Sequence, residues 1–150
     1  AGDIRQQLYT QNENDWFCLK YVGKEGANPR QTNVPIIRLS EMYLNRAEAI
    51  INGASVSGVT AEADLKTLAS KRNATASAAT RTGVFTDRRK ELAFEGHIAY
   101  DYARTNTSLV RNDFDEVNNK DVAFPRYMWA MPIPKRELDA NENMVQNPGY

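Results

Sequence analysis

Residues Thr86 to Arg104, TDRRKELAFEGHIAYDYAR, leave few options for the fold. Wound into a helix at about 100° per residue, Phe85, Leu92, Gly96, Ala99 and Ala103 fall on one side. Phe94, Ile98 and Tyr102 fall on a second side, and only Lys90, His97, Asp101 and Arg104 make a continuous polar stripe. A helix that is apolar on both flanks has to be held between neighbours, so the segment predicts the central rod of a helical array. Arg88, Glu91 and Glu95 occupy a charged sector between the two apolar sides. Gly96 inside a helix costs about 1 kcal/mol relative to Ala, which points to another backbone passing close by.

A second helix is expected from about Ile36 to Ile51. Pro35 suits its first turn, and Ile36, Leu39, Tyr43, Ala47 and Ile50 line one face, with Ile37, Leu44 and Ile51 beside them. Asn52-Gly53 is a stop signal. Thr60 is a candidate N-cap for a third helix, Ala61 to about Asn73, packing through Leu65, Leu68 and Ala69. The short connection GASVSGVT predicts that these two helices form an antiparallel pair. Elsewhere the pattern is weaker. Residues 1–14 read as loose, Asp15 to Val22 as a short strand, Gly23 to Asn33 as a loop and Ala74 to Thr82 as a mobile loop. Thr105 to Asp121 reads as irregular, Tyr127 to Met131 as extended, and Lys135 to Ala140 as one helical turn. The fold class expected is mainly α, helical hairpins with long irregular loops and one or two short strands.

Glu91 and Glu95, one turn apart, raise the question of paired carboxylates for glycoside hydrolysis, which needs two carboxyls about 5–10 Å apart across a cleft. Arginine accompanies them, with Arg88 in the same sector and Arg38 and Arg46 on the preceding helix. A partly buried charge left unpaired costs several kcal/mol, so the favoured expectation is a structural ion-pair network of Arg38, Arg46, Arg88, Glu91 and Glu95, in which Arg46 or Arg38 reaches Glu95. A glycoside hydrolase using Glu91 or Glu95 is the weaker reading, and the chain is expected not to be an enzyme.

Cys18 is the only cysteine. It sits in the apolar run Trp16-Phe17-Cys18-Leu19 and reads as a small buried hydrophobe rather than a thiol nucleophile. The lone histidine, His97, is expected in an exposed pair with Asp101. No HExxH, CxxC, P-loop or GxGxxG pattern occurs, so neither a metal nor a cofactor is expected. Glycan-binding proteins stack sugars on exposed aromatics, yet Trp16 and Trp129 both sit in apolar surroundings that favour packed positions. Tyr127 and Tyr150 also lie outside the expected helices.

Nineteen basic and nineteen acidic residues cancel, which argues against a nucleic-acid partner. No apolar run approaches the roughly 20 residues that span a bilayer. The opening AGDIRQQ is too polar for a signal peptide and suggests a mature or truncated chain. At 150 residues the expectation is a single domain, 1–150, able to bury roughly 70% of its unfolded surface.

Three runs carry a family resemblance. RRKELAFEGH, VPIIRLSEMYLNRAEAI (34–50) and the ending MPIPKRELDANENMVQNPGY (131–150) occur in the order seen in the SusD/RagB family of nutrient-binding outer-membrane lipoproteins, which the chain resembles across most of residues 34–150. The ending NPGY looks like a natural C-terminus, and the chain resembles the C-terminal part of a longer protein. The resemblance implies a tetratricopeptide-like helical scaffold, although the 34-residue repeat pattern itself is absent. It further implies a lipid-anchored protein on the outer face of the outer membrane. Such a protein would capture glycans or other nutrients and close, lid-like, over a TonB-dependent SusC-type transporter. No sugar-binding residue carries over, because no motif here matches one. This piece is expected to supply mainly scaffold and transporter-facing surface. A helical protein–protein interaction module without a nutrient ligand is the alternative.

Overall fold

The computed structural model describes residues 2–13, 15–23, 32–33, 35–111 and 121–150. It is mainly helical, with two short antiparallel strand pairs. The chain forms two compact units, residues 1–98 and 99–150.

The first unit is built on three helices, α1 (Leu39–Ile51), α2 (Ala61–Lys71) and α3 (Arg81–Glu91). Thr60 caps α2 by accepting from Ala63 N at 3.1 Å, and Thr80 caps α3 by accepting from Gly83 N at 3.1 Å, each satisfying an amide that has no partner within its helix. Leu44 and Ala47 of α1, Ala61, Leu65 and Leu68 of α2 and Val84 of α3 form the core, with Ile50, Ile51 and Ala76 against it. Residues from the start of α1 and the end of α2 line one cleft together, so the pair is an antiparallel hairpin, as its short connection predicts. Gly83 is set by packing: a Cβ there would overlap the carbonyl oxygen of Ala78.

Ahead of α1, a 3₁₀ turn (Ile4–Leu8) leads into strand β1 (Tyr9–Asn12), which pairs with β2 (Asp15–Cys18) in the register Tyr9↔Cys18 and Gln11↔Trp16. The start of the chain is therefore ordered rather than loose, and the expected strand to Val22 stops at Cys18. Of the expected loop Gly23–Asn33, residues 24–31 lie outside the described residues.

The two outer helices are shorter than their periodicity suggests. α1 begins at Leu39, so Pro35 is not in its first turn, and Ile36, Ile37 and Leu39 are exposed rather than packed. α2 ends at Lys71, and α3 starts inside the expected loop Ala74–Thr82.

The largest correction concerns the central rod. It is not one helix: α3 ends at Glu91, and the chain turns through Phe94 (φ 66°) and Gly96 (φ 81°) before α4 (Ile98–Arg104) begins. Two left-handed residues within three positions cannot lie in a right-handed helix, and Gly96 is present for its φ. Nothing lies within 4 Å of where its Cβ would be, so no backbone passes close. The second apolar side breaks up with the helix: Phe94 and Ile98 are exposed, and of its three residues Tyr102 alone is buried. The two middle members of the supposed polar stripe, expected to pair with each other, part as well. Asp101 is buried and bonds Arg104 Nε at 2.8 Å, whereas His97 Nδ1 lies 3.9 Å from Glu41.

In the second unit, β3 (Leu109–Val110) pairs with β4 (Asp121–Val122) within the stretch expected to be irregular, of which residues 112–120 lie outside the described residues. Tyr127–Trp129 is a 3₁₀ turn, not extended, and α5 (Lys135–Ala140) occupies the expected helical turn. The tail folds back through paired Gln146–Ile133 hydrogen bonds of 2.8 and 2.9 Å and the edge-on rings of Tyr127 and Tyr150. Trp129 is half-buried, tilted against Phe124.

Candidate functional site

The end of α3 gathers the densest cluster of charge among the described residues. Glu91 and Glu95 side chains are each 2% exposed. Arg38, in extended backbone just before α1, lies between them. Its Nη1 donates to Glu91 Oε1 at 2.6 Å, its Nε to both Glu95 oxygens at 3.0 and 2.9 Å, and its Nη2 to the Glu91 carbonyl. Because Arg38 precedes the first helical turn, its side chain is not one of a helical face; the turn after α3 brings Glu95 back to the same guanidinium as Glu91.

Three more cations join. Arg72, the C-cap of α2, clamps Glu91 through Nε at 3.0 and 3.2 Å and Nη2 at 2.6 Å, the bidentate geometry that suits guanidinium to carboxylate. Arg5 approaches Glu91 at 3.4 Å while held by Asp3 at 2.6 to 3.0 Å. Lys20 pairs with Glu95 and donates to the carbonyls of Glu91 (3.0 Å) and Ala93 (2.9 Å). Those carbonyls have no acceptor role inside the helix, and the negative end of the α3 dipole favours a cation there. Tyr21 Oη completes the clasp on Phe94 O at 2.8 Å.

The electrostatics follow from this geometry. Burial by itself would raise the Glu91 pKa, but hydrogen bonds and charge from Arg72 and Arg38 outweigh it and carry it down to about 2. Glu95 is likewise lowered, burial being outweighed by Arg38 and Lys20. Glycoside hydrolysis requires one carboxyl held protonated by a raised pKa. Both carboxyls here move the other way and are already saturated with donors.

The other expected members of the network lie elsewhere. Arg46 does not reach Glu95; it forms a bidentate pair with buried Asp64 at 2.6 and 2.8 Å, joining α1 to α2. Arg88 Nη1 donates to Asn45 Oδ1 at 2.5 Å, joining α3 to α1. Arg5, Lys20, Arg72 and Asp64 were not expected at these ties. Nothing in local periodicity marks them, because their partners are 18 to 86 positions away.

A cleft of about 360 Å³ opens beside the cluster, lined by Arg5, Lys20, Arg38 and Arg72 with apolar Ile4 and Pro35. Away from it, Trp16 on β2 is 67% exposed, contrary to the packed position expected of it. Cys18 is half-buried, its Sγ accepting from Lys20 N at 3.4 Å. Among the described residues, no group of three or more His, Cys, Asp or Glu is placed to hold a metal, and no helix is long and apolar enough to cross a membrane.

Helical hairpins tied by arginine–carboxylate pairs, with a short β-hairpin, place the chain among mainly α proteins. The sequence profile of the SusD family matches residues 3–150, and the chain belongs to that family. It is 33% identical over 126 residues to the starch-binding protein SusD of Bacteroides thetaiotaomicron, a match covering 79% of this chain and 22% of the relative. A SusD superfamily protein from Bacteroides vulgatus superposes with a TM-score of 0.84 at 29% identity, over 99% of this chain and 36% of that one. Surface glycan-binding protein A from Bacteroides thetaiotaomicron, in complex with laminarihexaose, superposes at 0.67 with 27% identity, over 92% of this chain and 32% of its own. The chain thus spans about a fifth of the curated relative and about a third of the solved ones.

Proposed function

We propose that the chain is part of a glycan-binding component of an outer-membrane uptake system. It would be lipid-anchored on the cell's outer face and work with a TonB-dependent SusC-type transporter, by reversible binding and without bond-breaking chemistry. The observation that carries this reading is family membership across residues 3–150, together with relatives that bind starch and laminarihexaose. The locked state of Glu91 and Glu95 supports binding over catalysis. Within the system this region serves mainly as scaffold and transporter-facing surface, and the Arg38–Glu91–Glu95 cluster is its structural tie, with Arg46 and Arg88 fastening α1 to its neighbours.

Calorimetric titration of neutral and acidic glycans against the full-length protein tests the binding role. Silence across the panel would end it. Glu95→Ala should lower the melting temperature while leaving glycan affinity in the full-length protein unchanged; an unaltered melting temperature would remove the structural role. Co-purification with a SusC-type transporter tests the partner. The exposed Ile36, Ile37 and Leu39 favour a second reading, a helical interaction module with no nutrient ligand, which glycan binding would exclude.

A further inference from the structure

Ile36, Ile37 and Leu39 are 86%, 70% and 71% exposed. Apolar side chains exposed singly are ordinary on any protein, whereas a contiguous group of them marks a surface that something covers. The aim of this group is set by the charge cluster. Arg38 lies in extended backbone, at φ −143° and ψ 155°, where successive side chains point to opposite sides. Its guanidinium is drawn inward by Glu91 and Glu95, so Ile37 and Leu39, on either side of it, are turned outward. The tie that holds α3 to the segment before α1 therefore also fixes the outward face of that segment.

Leu39 belongs to a second surface as well. A cleft of about 520 Å³ lies between the start of α1 and the end of α2, with Leu39, Tyr43 and Leu68 as its apolar part. Arg38 and Arg72 line both this cleft and the one beside the charge cluster, and their side chains are still 23% and 27% exposed. Both are paired with Glu91, so covering them strands no charge. Lys71, at the rim, is exposed and makes no ion pair among the described residues. The solved relatives extend well beyond this chain, which covers 36% of one and 32% of another, so most of such a polypeptide lies elsewhere and is at hand to cover the patch. We infer that the Ile36–Leu39 patch and the adjoining cleft are the seat of another segment of the same, longer polypeptide. That segment brings an apolar side to Ile37 and Leu39 and an acidic side chain to Lys71. Seating it removes the water that Arg38 and Arg72 still touch, and their pairs with Glu91 strengthen as the local dielectric falls. The charge cluster then aims the patch and is sealed by what lies on it. The inference rests on the reading of the chain as part of a longer binding protein, and it makes this surface internal to that protein.

The test is hydroxyl-radical footprinting of the full-length protein, with oxidation read residue by residue by mass spectrometry. Side chains as bare as these would oxidise at nearly the rate they show in urea-unfolded protein. Protection of Ile36, Ile37 and Leu39 by at least tenfold is expected. With p-benzoylphenylalanine in place of Ile37, irradiation should join that position to a peptide outside residues 1–150, in a product that runs as a monomer. Oxidation at the unfolded rate overturns the docking, and so does a crosslink to a second copy or to a separate protein. Glycan titration of the same preparation keeps the two readings apart. Glycan binding with a bare patch removes the docking and leaves the binding function standing, whereas protection with silence across the glycan panel keeps the docking and removes that function.

Discussion

Two parts of the first unit handle their costly side chains in opposite ways. At the end of α3, two carboxylates 2% exposed are surrounded by Arg5, Lys20, Arg38 and Arg72, so every charge taken from water has a partner. On the β1–β2 hairpin a 67% exposed indole is left facing solvent. The first arrangement resists change, since removing one partner strands the others without water. The second is nearly free of such coupling, so a substitution there should leave the fold intact. The difference separates residues that hold the molecule from residues available to meet something else.

The largest effect should come from Glu91→Ala, which leaves Arg38 and Arg72 facing each other over a buried gap. Breaking a buried pair in this way costs about 3–5 kcal/mol, and urea denaturation should show that loss; a change under about 1 kcal/mol would place the cluster with ordinary surface pairs.

Acid should act on the same corner. A carboxyl whose folded pKa is depressed stabilises the fold above its unfolded pKa and loses that contribution as pH falls through the folded value. For Glu91 the window runs from 4.5 down to about 2, with a contribution on the order of 3 kcal/mol at neutral pH. Wild-type stability measured across that window should decline more steeply than that of Glu91→Gln; parallel curves would contradict the assignment.

Next in size is Gly83→Ala, whose Cβ would run into the Ala78 carbonyl oxygen. A cost of about 1–3 kcal/mol follows if the 76–83 segment must shift, readable as a lower melting temperature. Arg46→Met removes a partner from buried Asp64 and should cost about 1–3 kcal/mol. At the far end, Trp16→Ala should leave unfolding free energy within about 0.5 kcal/mol of wild type. A large loss there would erase the contrast between the two regions by making the hairpin part of the core.

Much of this organisation is legible locally. The Thr60 cap, the stop after Ile51, the α1–α2 hairpin and the α5 turn follow from signals that act within a few residues. The reason is that helix periodicity and capping are satisfied by near neighbours in the chain. The same logic misleads at Thr86–Arg104. Seven-residue recurrences persist on both sides of a break, and Phe94 in a left-handed state is a choice that local preference would never make. It persists because Lys20 and Tyr21, more than 70 positions earlier, hold the carbonyls of the turn.

The sequence alone determined that the chain is mainly helical, that its charges balance, and that glutamates and arginines travel together in one charged sector. Only the tertiary structure decided which arginine meets which carboxylate: Arg38 rather than Arg46 for Glu95, with Arg5 and Arg72 recruited to Glu91. It also decided that Trp16 faces outward. Those outcomes depend on partners 19 to 86 residues apart, where desolvation and geometry, not local spacing, fix the pairing.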